Sequence, residues 1–386
     1  PPGAELVEAD GMTVLPAFVD PHVHLRVPGQ EHKEDLVTGT RAAAAGGYCA
    51  IVTMANTDPV VDSAAILASL GERARSEAVV PVGFVGAVSI GLEGRQLTEM
   101  YELADAGAMA FSDDGRPLAR AGLLRRALQY ARPLGLPILL HEEDPTLSRG
   151  GHMREGAVSA ELGFGGWPAI AESTMIARDV RIALFEDAHV HLQHLSSRWS
   201  IEEVAWARAR GGRVTCEATP HHLTLTDEAV RSLSSNAKMN PPLGDEDDRQ
   251  ALIAAVRDGT VDCIATDHAP HAAEEKEQPL EAAPFGVTGL ETAFAAVNTT
   301  LVEPGVLPLE LVLERMSAGP ARAFSLPVPR IAVGEVANLV LLDLDAEWTV
   351  TAEGFRSRST NSWLLGETLR GRVVQTVADG RTVFEL

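Results

Sequence analysis

His22 and His24 stand two residues apart at the end of an apolar run that begins at Met12 and ends at Val19. Side chains along a strand alternate faces, so both imidazoles project the same way and can hold one metal ion. Arg26 continues that parity and aims a guanidinium at the same place. A half-buried strand with polar residues would look the same, so the rest of the chain has to decide between the two readings. Further acids and imidazoles follow other short apolar runs: Phe111-Ser112-Asp113-Asp114-Gly115, His141-Glu142-Glu143-Asp144, His194, and Asp267-His268-Ala269-Pro270-His271. Asn56-Thr57 ends another such run. Imidazole nitrogen and carboxylate oxygen are zinc donors. His22, His24, His141 and His194 with two aspartates make the donor census of a two-metal hydrolytic site.

The runs that deliver these residues are rich in Val and Ile and alternate with longer, Ala- and Leu-rich stretches of helical pattern. Strands are expected at 15–25, 50–57, 81–88, 109–112, 137–141, 190–195, 213–218 and 262–266. Helices are expected at 36–45, 63–76, 96–106, 123–132, 169–185, 201–210, 247–257 and 290–298. Near-continuous apolar strands between helices are the mark of a parallel sheet buried on both faces. Eight such units in succession predict a (β/α)8 barrel over residues 15–329, whose functional groups sit at the carboxyl ends of the strands. Beyond Pro329 short strands are expected at 336–344, 372–378 and 381–386, the last two joined by Asp379-Gly380, a hairpin signal. Residues 330–386 and 1–14 are expected to form one small β-domain beside the barrel. Ala4 to Val7 already reads as strand. The chain opens on Pro1 without Met, so a preceding segment is expected to be missing or trimmed.

Other histidines carry blander expectations. His189 and His191 lie at the start of their strand, the stability face of a barrel, and parity lets only one of His191 and His194 face the site. His32 and His152 fall in loops, His268 should point away from Asp267, and His221 and His222 end the seventh strand in supporting or structural roles. Two metals need a bridging ligand. Some hydrolases of this architecture use a carboxylated lysine, but Lys33, Lys238 and Lys276 are the only lysines and none lies at a strand end suited to bridging. The Asp113-Asp114 pair can bridge directly. Only one of the two can face inward, and spacing alone leaves open which.

With 54 acids against 32 bases, a formal charge of −22 argues against a nucleic-acid or anionic-membrane partner. A hydrophobic content of 45% suits a large core. Cys49, Cys216 and Cys263 lie in apolar runs and predict reduced thiols and a cytoplasmic location. No run has the length of a membrane span and no signal peptide opens the chain. The stretch Ala272–Ala283 reads as a polar loop.

Taken together, the motifs resemble those of the bacterial class I dihydroorotases of the amidohydrolase superfamily. The carrying stretches are DPHVHLRVPG (20–29), MANTDP (54–59), AFSDDG (110–115), HEED (141–144), HLQHLS (191–196), ATPHHL (218–223), NAKMNPPL (236–243), ATDHAPH (265–271) and APFGVTGLET (283–292). They run in the family's order over nearly the whole barrel. Val27 stands where the family commonly has Asp, and Glu142 where it has Cys. Members also carry further N-terminal strands, so the small β-domain is expected to be incomplete in this chain.

The resemblance implies that His22, His24 and Asp267 hold one zinc and that His141 and His194 hold a second, with Asp114 as the bridge. It implies that Arg26, Asn56 and His271 bind a substrate carboxylate, and that Asn240 and the backbone at Phe285 and Gly286 contact a pyrimidine ring. The implied reaction is reversible closure of N-carbamoyl-L-aspartate to L-dihydroorotate and water, in pyrimidine biosynthesis. The partners it implies are the small-molecule substrate, a second copy of the chain, and aspartate transcarbamoylase. The residue types fit the chemistry independently. Asp267 can carry a proton between water and the leaving nitrogen, and the guanidinium of Arg26 offers a carboxylate a two-pronged fork that lysine lacks. Two rival readings are another cyclic amidase (dihydropyrimidinase, hydantoinase or allantoinase) and an inactive homologue serving as a structural partner within an aspartate transcarbamoylase assembly. Against the second, every expected ligand is present.

Overall fold

A computed structural model describes residues 8–386, so the strand expected at Ala4–Val7 lies outside the described residues. Eight parallel strands form the central sheet: β2 (Phe18–Val23), β3 (Tyr48–Thr53), β4 (Val82–Gly86), β5 (Ala108–Ser112), β6 (Ile138–Leu140), β9 (Val190–Leu192), β10 (Val214–Ala218) and β11 (Cys263–Ile264). A parallel bridge between Val23 and His268, with the His24 amide donating to the His268 carbonyl at 2.9 Å, closes the sheet into a barrel. The expected (β/α)8 fold is therefore observed. Every residue of β2 is buried, as expected for a strand covered on both faces.

The remaining short strands lie elsewhere. β1 (Thr13–Pro16) pairs antiparallel with β12 (Leu339–Thr349), which continues through β13 (Thr368–Ala378) to β14 (Arg381–Glu385). β7 (Met153–Arg154) and β8 (Gly166–Trp167) form a two-stranded parallel sheet after β6 that the sequence did not announce. The strand expected at 15–25 is thus two: the chain leaves the small sheet at Pro16 and enters the barrel at Phe18, with the Ala17 amide bonded to the Asn338 carbonyl. Apolar residues run straight through the junction, although the small-sheet strand is only partly covered (Val14 is 42% exposed) and the barrel strand alone is fully buried. The Asp379-Gly380 turn is observed, with both residues left-handed (φ 49° and 72°), the geometry that joins two-residue hairpins.

The helix Leu36–Ala45 shows how local sequence sets an element's limits. Asp35 accepts from the Thr38 amide at 2.8 Å while the Thr38 hydroxyl accepts from the Asp35 amide, a reciprocal cap, and Gly46 ends the helix. Inside the barrel Val52, Met54, Val85, Ala110, Leu139 and Cys263 pack with Phe324 into an apolar plug. That plug leaves the upper layer to polar side chains. No helix among the described residues is long and apolar enough to cross a membrane.

Candidate active site

The carboxyl ends of the strands bring His22, His24, Asp114, His141, His194 and Asp267 to one place, all of them 9% exposed or less. Asp114 lies at the centre. Its Oδ1 is 3.5 Å from His22 Nε2 and 3.8 Å from both His141 Nδ1 and His194 Nε2, and its Oδ2 is 3.4 Å from His24 Nε2. Asp113 turns the other way, accepting from the Val88 and Ser89 amides at 2.8 and 2.9 Å and from the Ser89 hydroxyl. Of the two aspartates, Asp114 is the one that faces the histidines. Asp267 Oδ1 sits 3.0 Å from His24 Nε2 and 3.4 Å from His22 Nε2.

The backbone is bent to make this arrangement. Arg26, His194 and Asp267 all have positive φ (60°, 35° and 46°), a conformation costly for side chains other than glycine. Parity therefore fails at these positions. β9 ends at Leu192 and the left-handed turn at His194 lets His191, Gln193 and His194 all reach the interior. Arg26 likewise enters the cavity through its turn and not by strand alternation. His268 behaves as expected, pointing away toward Glu34 (3.3 Å). His221 and His222 belong to a short helix, Pro220–Thr224, and not to a strand end. His222 bonds the Pro241 carbonyl at 2.9 Å, whereas His221 Nε2 is buried without a partner.

Supporting carboxylates that the sequence reading missed fix the rings. Glu217 bonds His22 Nδ1 at 2.5 Å and His191 Nε2 at 3.0 Å, and it also accepts from the His194 amide. Burial raises its pKa, but the imidazoles of His22 and His191 outweigh that and pull it down to about 2. Glu143 holds His141 Nε2 at 3.2 Å. An acid inside the otherwise apolar run Val214–Ala218, on the inward parity, was the available signal for Glu217. Burial likewise opposes ionisation of Asp114 and Asp267, yet neighbouring imidazoles hold both below the ordinary carboxylate range.

The donor set fits metal. Two groups, His22–His24–Asp114 and Asp114–His141–His194, each place three ligand atoms within 4.8 Å of one another and share Asp114. Asp114 Oδ1 is buried with no hydrogen-bond partner, and His141 Nδ1 lies 2.9 Å from His194 Nε2, the ring nitrogen that faces Asp114. Lone pairs converging in this way, without enough protons to separate them, suit a cation. None of the three lysines touches Asp114 among the described residues: Lys33 pairs with Glu275, and Lys238 and Lys276 bond backbone carbonyls.

Above the cluster opens a cavity of about 210 Å³, lined by Arg26, Asn56, Asn240, Ala269, His271, Phe285 and Gly286 together with His24, Asp114, His141, His194 and Asp267. Every expected substrate residue thus borders it. Arg26 spends its Nε–H on the Pro270 carbonyl (3.1 Å). Asn56 bonds His24 Nδ1 at 2.9 Å and donates to Asp114, so its amide steadies both side chains as well as lining the cavity. Asn240 Nδ2 lies 3.4 Å from His141 Nε2, and its Oδ1 is buried and unpartnered. His271 Nε2 donates to the Phe285 carbonyl at 2.8 Å, and burial followed by the Arg26, Lys276 and Lys33 cations pushes its pKa down to about 3. Gly286 has φ 115°, and a Cβ there would lie 2.8 Å from that of Ala269.

The Dihydro-orotase-like family matches residues 11–227, more than half of the chain. The chain belongs to that family. Among relatives of this dihydroorotase-like chain, the dihydroorotase of Pelobacter propionicus is 45% identical over 384 residues, covering 100% of this chain and 90% of the relative. That of Streptomyces coelicolor is 47% identical over 390 residues, covering 99% and 90%. In structure it resembles the L-hydantoinase (dihydropyrimidinase) of Arthrobacter aurescens, with a TM-score of 0.89 at 26% identity over 98% of this chain and 86% of the other. The dihydropyrimidinase of Brevibacillus agri, at 24% identity, shares the fold (TM-score 0.86; 100% and 87% covered). The dihydroorotase-like barrel thus shares its architecture with enzymes named for cyclic-amide substrates.

Proposed function

We propose that the cavity carries out reversible closure of N-carbamoyl-L-aspartate to L-dihydroorotate and water, with two zinc ions held at the strand ends. The observation that carries this reading is one cavity with four histidines and Asp114 clustered at metal-holding distances at its base, Asp267 3.0 Å from His24, and the Arg26 guanidinium on its wall. His22, His24 and Asp267 would hold one ion, His141 and His194 the other, and Asp114 both. When bound, such ions act as Lewis acids that acidify water and polarise a carbonyl.

The chain's own residues account for the other steps. In the hydrolytic direction water adds to the ring carbonyl carbon and the ring C–N bond breaks. Asp267 takes a proton from the water and delivers it to the departing nitrogen. In the biosynthetic direction the same carboxyl returns the proton and water leaves. Arg26 retains Nη donors for the substrate carboxylate that does not react, and a charge-assisted fork there favours a carboxylated ring over an uncharged one. Asn240 and the Phe285–Gly286 backbone face the ring. The first domain limit, expected at 14/15, falls instead at Ala17, where the chain changes sheet; a limit at 329/330, a cytoplasmic location, a homodimer and association with aspartate transcarbamoylase belong to the same proposal.

The structural likeness to hydantoinases makes another cyclic amidase the competing reading. Metal-quantified protein assayed against dihydroorotate, dihydrouracil and allantoin separates the two. Preferential turnover of dihydroorotate is expected; preference for dihydrouracil would overturn the assignment.

A further inference from the structure

We propose that Asn361, carried by the C-terminal segment that returns to the barrel, is a positioning residue that holds the two halves of the substrate wall in register. Asn361 is 6% exposed and spends both amide donors and one acceptor site on the backbone of that wall. Nδ2 donates to the carbonyls of Ala269 (3.1 Å) and Gly286 (3.2 Å), while Oδ1 accepts from the His271 amide (3.1 Å). Ala269 and His271 follow the last barrel strand and Gly286 lies on the loop opposite, so one amide group ties both sides of the same corner. All three residues border the cavity.

The segment bearing Asn361 is itself fastened to the barrel. Glu291 accepts from the Arg356 and Ser357 amides, and the Ser357 hydroxyl donates to Glu34. The Ser359 hydroxyl donates to the Lys33 carbonyl at 2.6 Å, and the Thr288 amide donates to the Asn361 carbonyl at 3.1 Å. From the other side of the loop Lys276 Nζ donates to the Pro284 and Gly286 carbonyls at 3.0 and 2.9 Å. Lys238 Nζ donates to the Leu280 and Ala283 carbonyls and lies 4.5 Å from the centre of the Phe285 ring. The Gly286 carbonyl, which accepts from both Lys276 and Asn361, is the point where the barrel loop and the C-terminal segment meet.

The inference rests on the reading of this cavity as a substrate site. The test is steady-state kinetics and bound-metal analysis of Asn361→Leu and Asn361→Asp. Leucine keeps the volume and removes all three bonds. Aspartate keeps the acceptor for His271 but sets a carboxylate oxygen against two carbonyls. Because the wall holds substrate in ground and transition states alike, each variant is expected to raise KM at least about fivefold with kcat within about twofold. Bound metal stays at the wild-type level. A KM within twofold of wild type, whatever the change in melting temperature, would overturn the proposal. Should Asn361→Leu fail to fold, Asn361→Asp, nearly the same shape, carries the test. If wild-type protein ignores dihydroorotate, the functional reading fails separately. The KM comparison is then made with whichever cyclic amide the wild type turns over.

Discussion

The floor and the wall of the cavity are built by different means. At the floor, His22, His24, Asp114, His141, His194 and Asp267 come from the ends of five strands, and sheet register sets their spacing. Carboxylates one layer out then lock the rings, as Glu217 does for His22 and Glu143 for His141. At the wall, Ala269, His271, Phe285 and Gly286 sit on irregular chain. Backbone bonds from the Ala269 amide to the Val287 carbonyl and from the Gly286 amide to the Lys238 carbonyl hold it at single points, and the side chains of Lys238, Lys276 and Asn361 bond further carbonyls and amides along it. The floor is thus anchored to the regular sheet, while the wall depends more on side-chain bonds, from Lys276 nearby in sequence and from Lys238 and Asn361 farther away. Substitutions at the floor should cost metal and turnover; those at the wall should cost substrate binding.

Asp267→Asn strikes the floor hardest. Loss of the proton carrier is expected to lower kcat by about 10²–10⁴-fold in both directions, measured with metal content determined on the same sample. A variant retaining most of its kcat would remove Asp267 from the chemistry. Glu217→Gln leaves every ligand in place but withdraws the charge behind His22 and His191, so metal affinity is expected to fall about 10–100-fold, as read by titration with a competing chelator. Arg26→Lys belongs to the wall and should do the reverse. KM for dihydroorotate rises about tenfold or more, since one ammonium cannot reproduce the fork, while bound metal is unchanged. Equal loss of metal would erase the distinction between floor and wall.

The smallest expected effect lies behind the wall. Burial, with Glu34 adding to it, raises the Glu291 pKa to about 7 against the opposing backbone bonds from Ser357 and Arg356 and the Arg356 charge. A carboxyl whose folded pKa exceeds its unfolded value contributes stability below the ordinary pKa, and that contribution is lost as pH rises toward 7. Glu291→Gln removes the titration. The melting temperature of wild type relative to the variant should therefore decline between about pH 4.5 and 7. A constant difference over that range would show that Glu291, half-buried against the C-terminal segment, is not a titrating anchor of it.

How far the sequence could be read follows the same division. The candidate ligand residues were visible because each ends an apolar run, and a parallel barrel places such ends together. Parity arguments held while the chain stayed in strand, as at His22 and His24, and broke where φ turns positive, as at His194 and Arg26. The run from Thr13 to Val23 hid a change of sheet at Ala17 because apolar residues continue through it, partly covered in the small sheet and fully buried in the barrel. Ala272–Ala283 read as a polar loop, yet Lys276 within it is buried and bonded to two carbonyls, since an ammonium can be buried when carbonyl oxygens replace water.

The sequence by itself determined the alternation of strand and helix, the family, and the donors that meet at the floor, because periodicity and short motifs are local properties. Tertiary structure alone decided that Asp114 and not Asp113 faces the histidines, that Glu217 stands behind His22, and that Asn361 closes a wall begun some ninety residues earlier. These are outcomes of backbone turns and of contacts between distant segments. Hydrogen-bond partners are chosen by position in space, and no spacing along the chain encodes that choice.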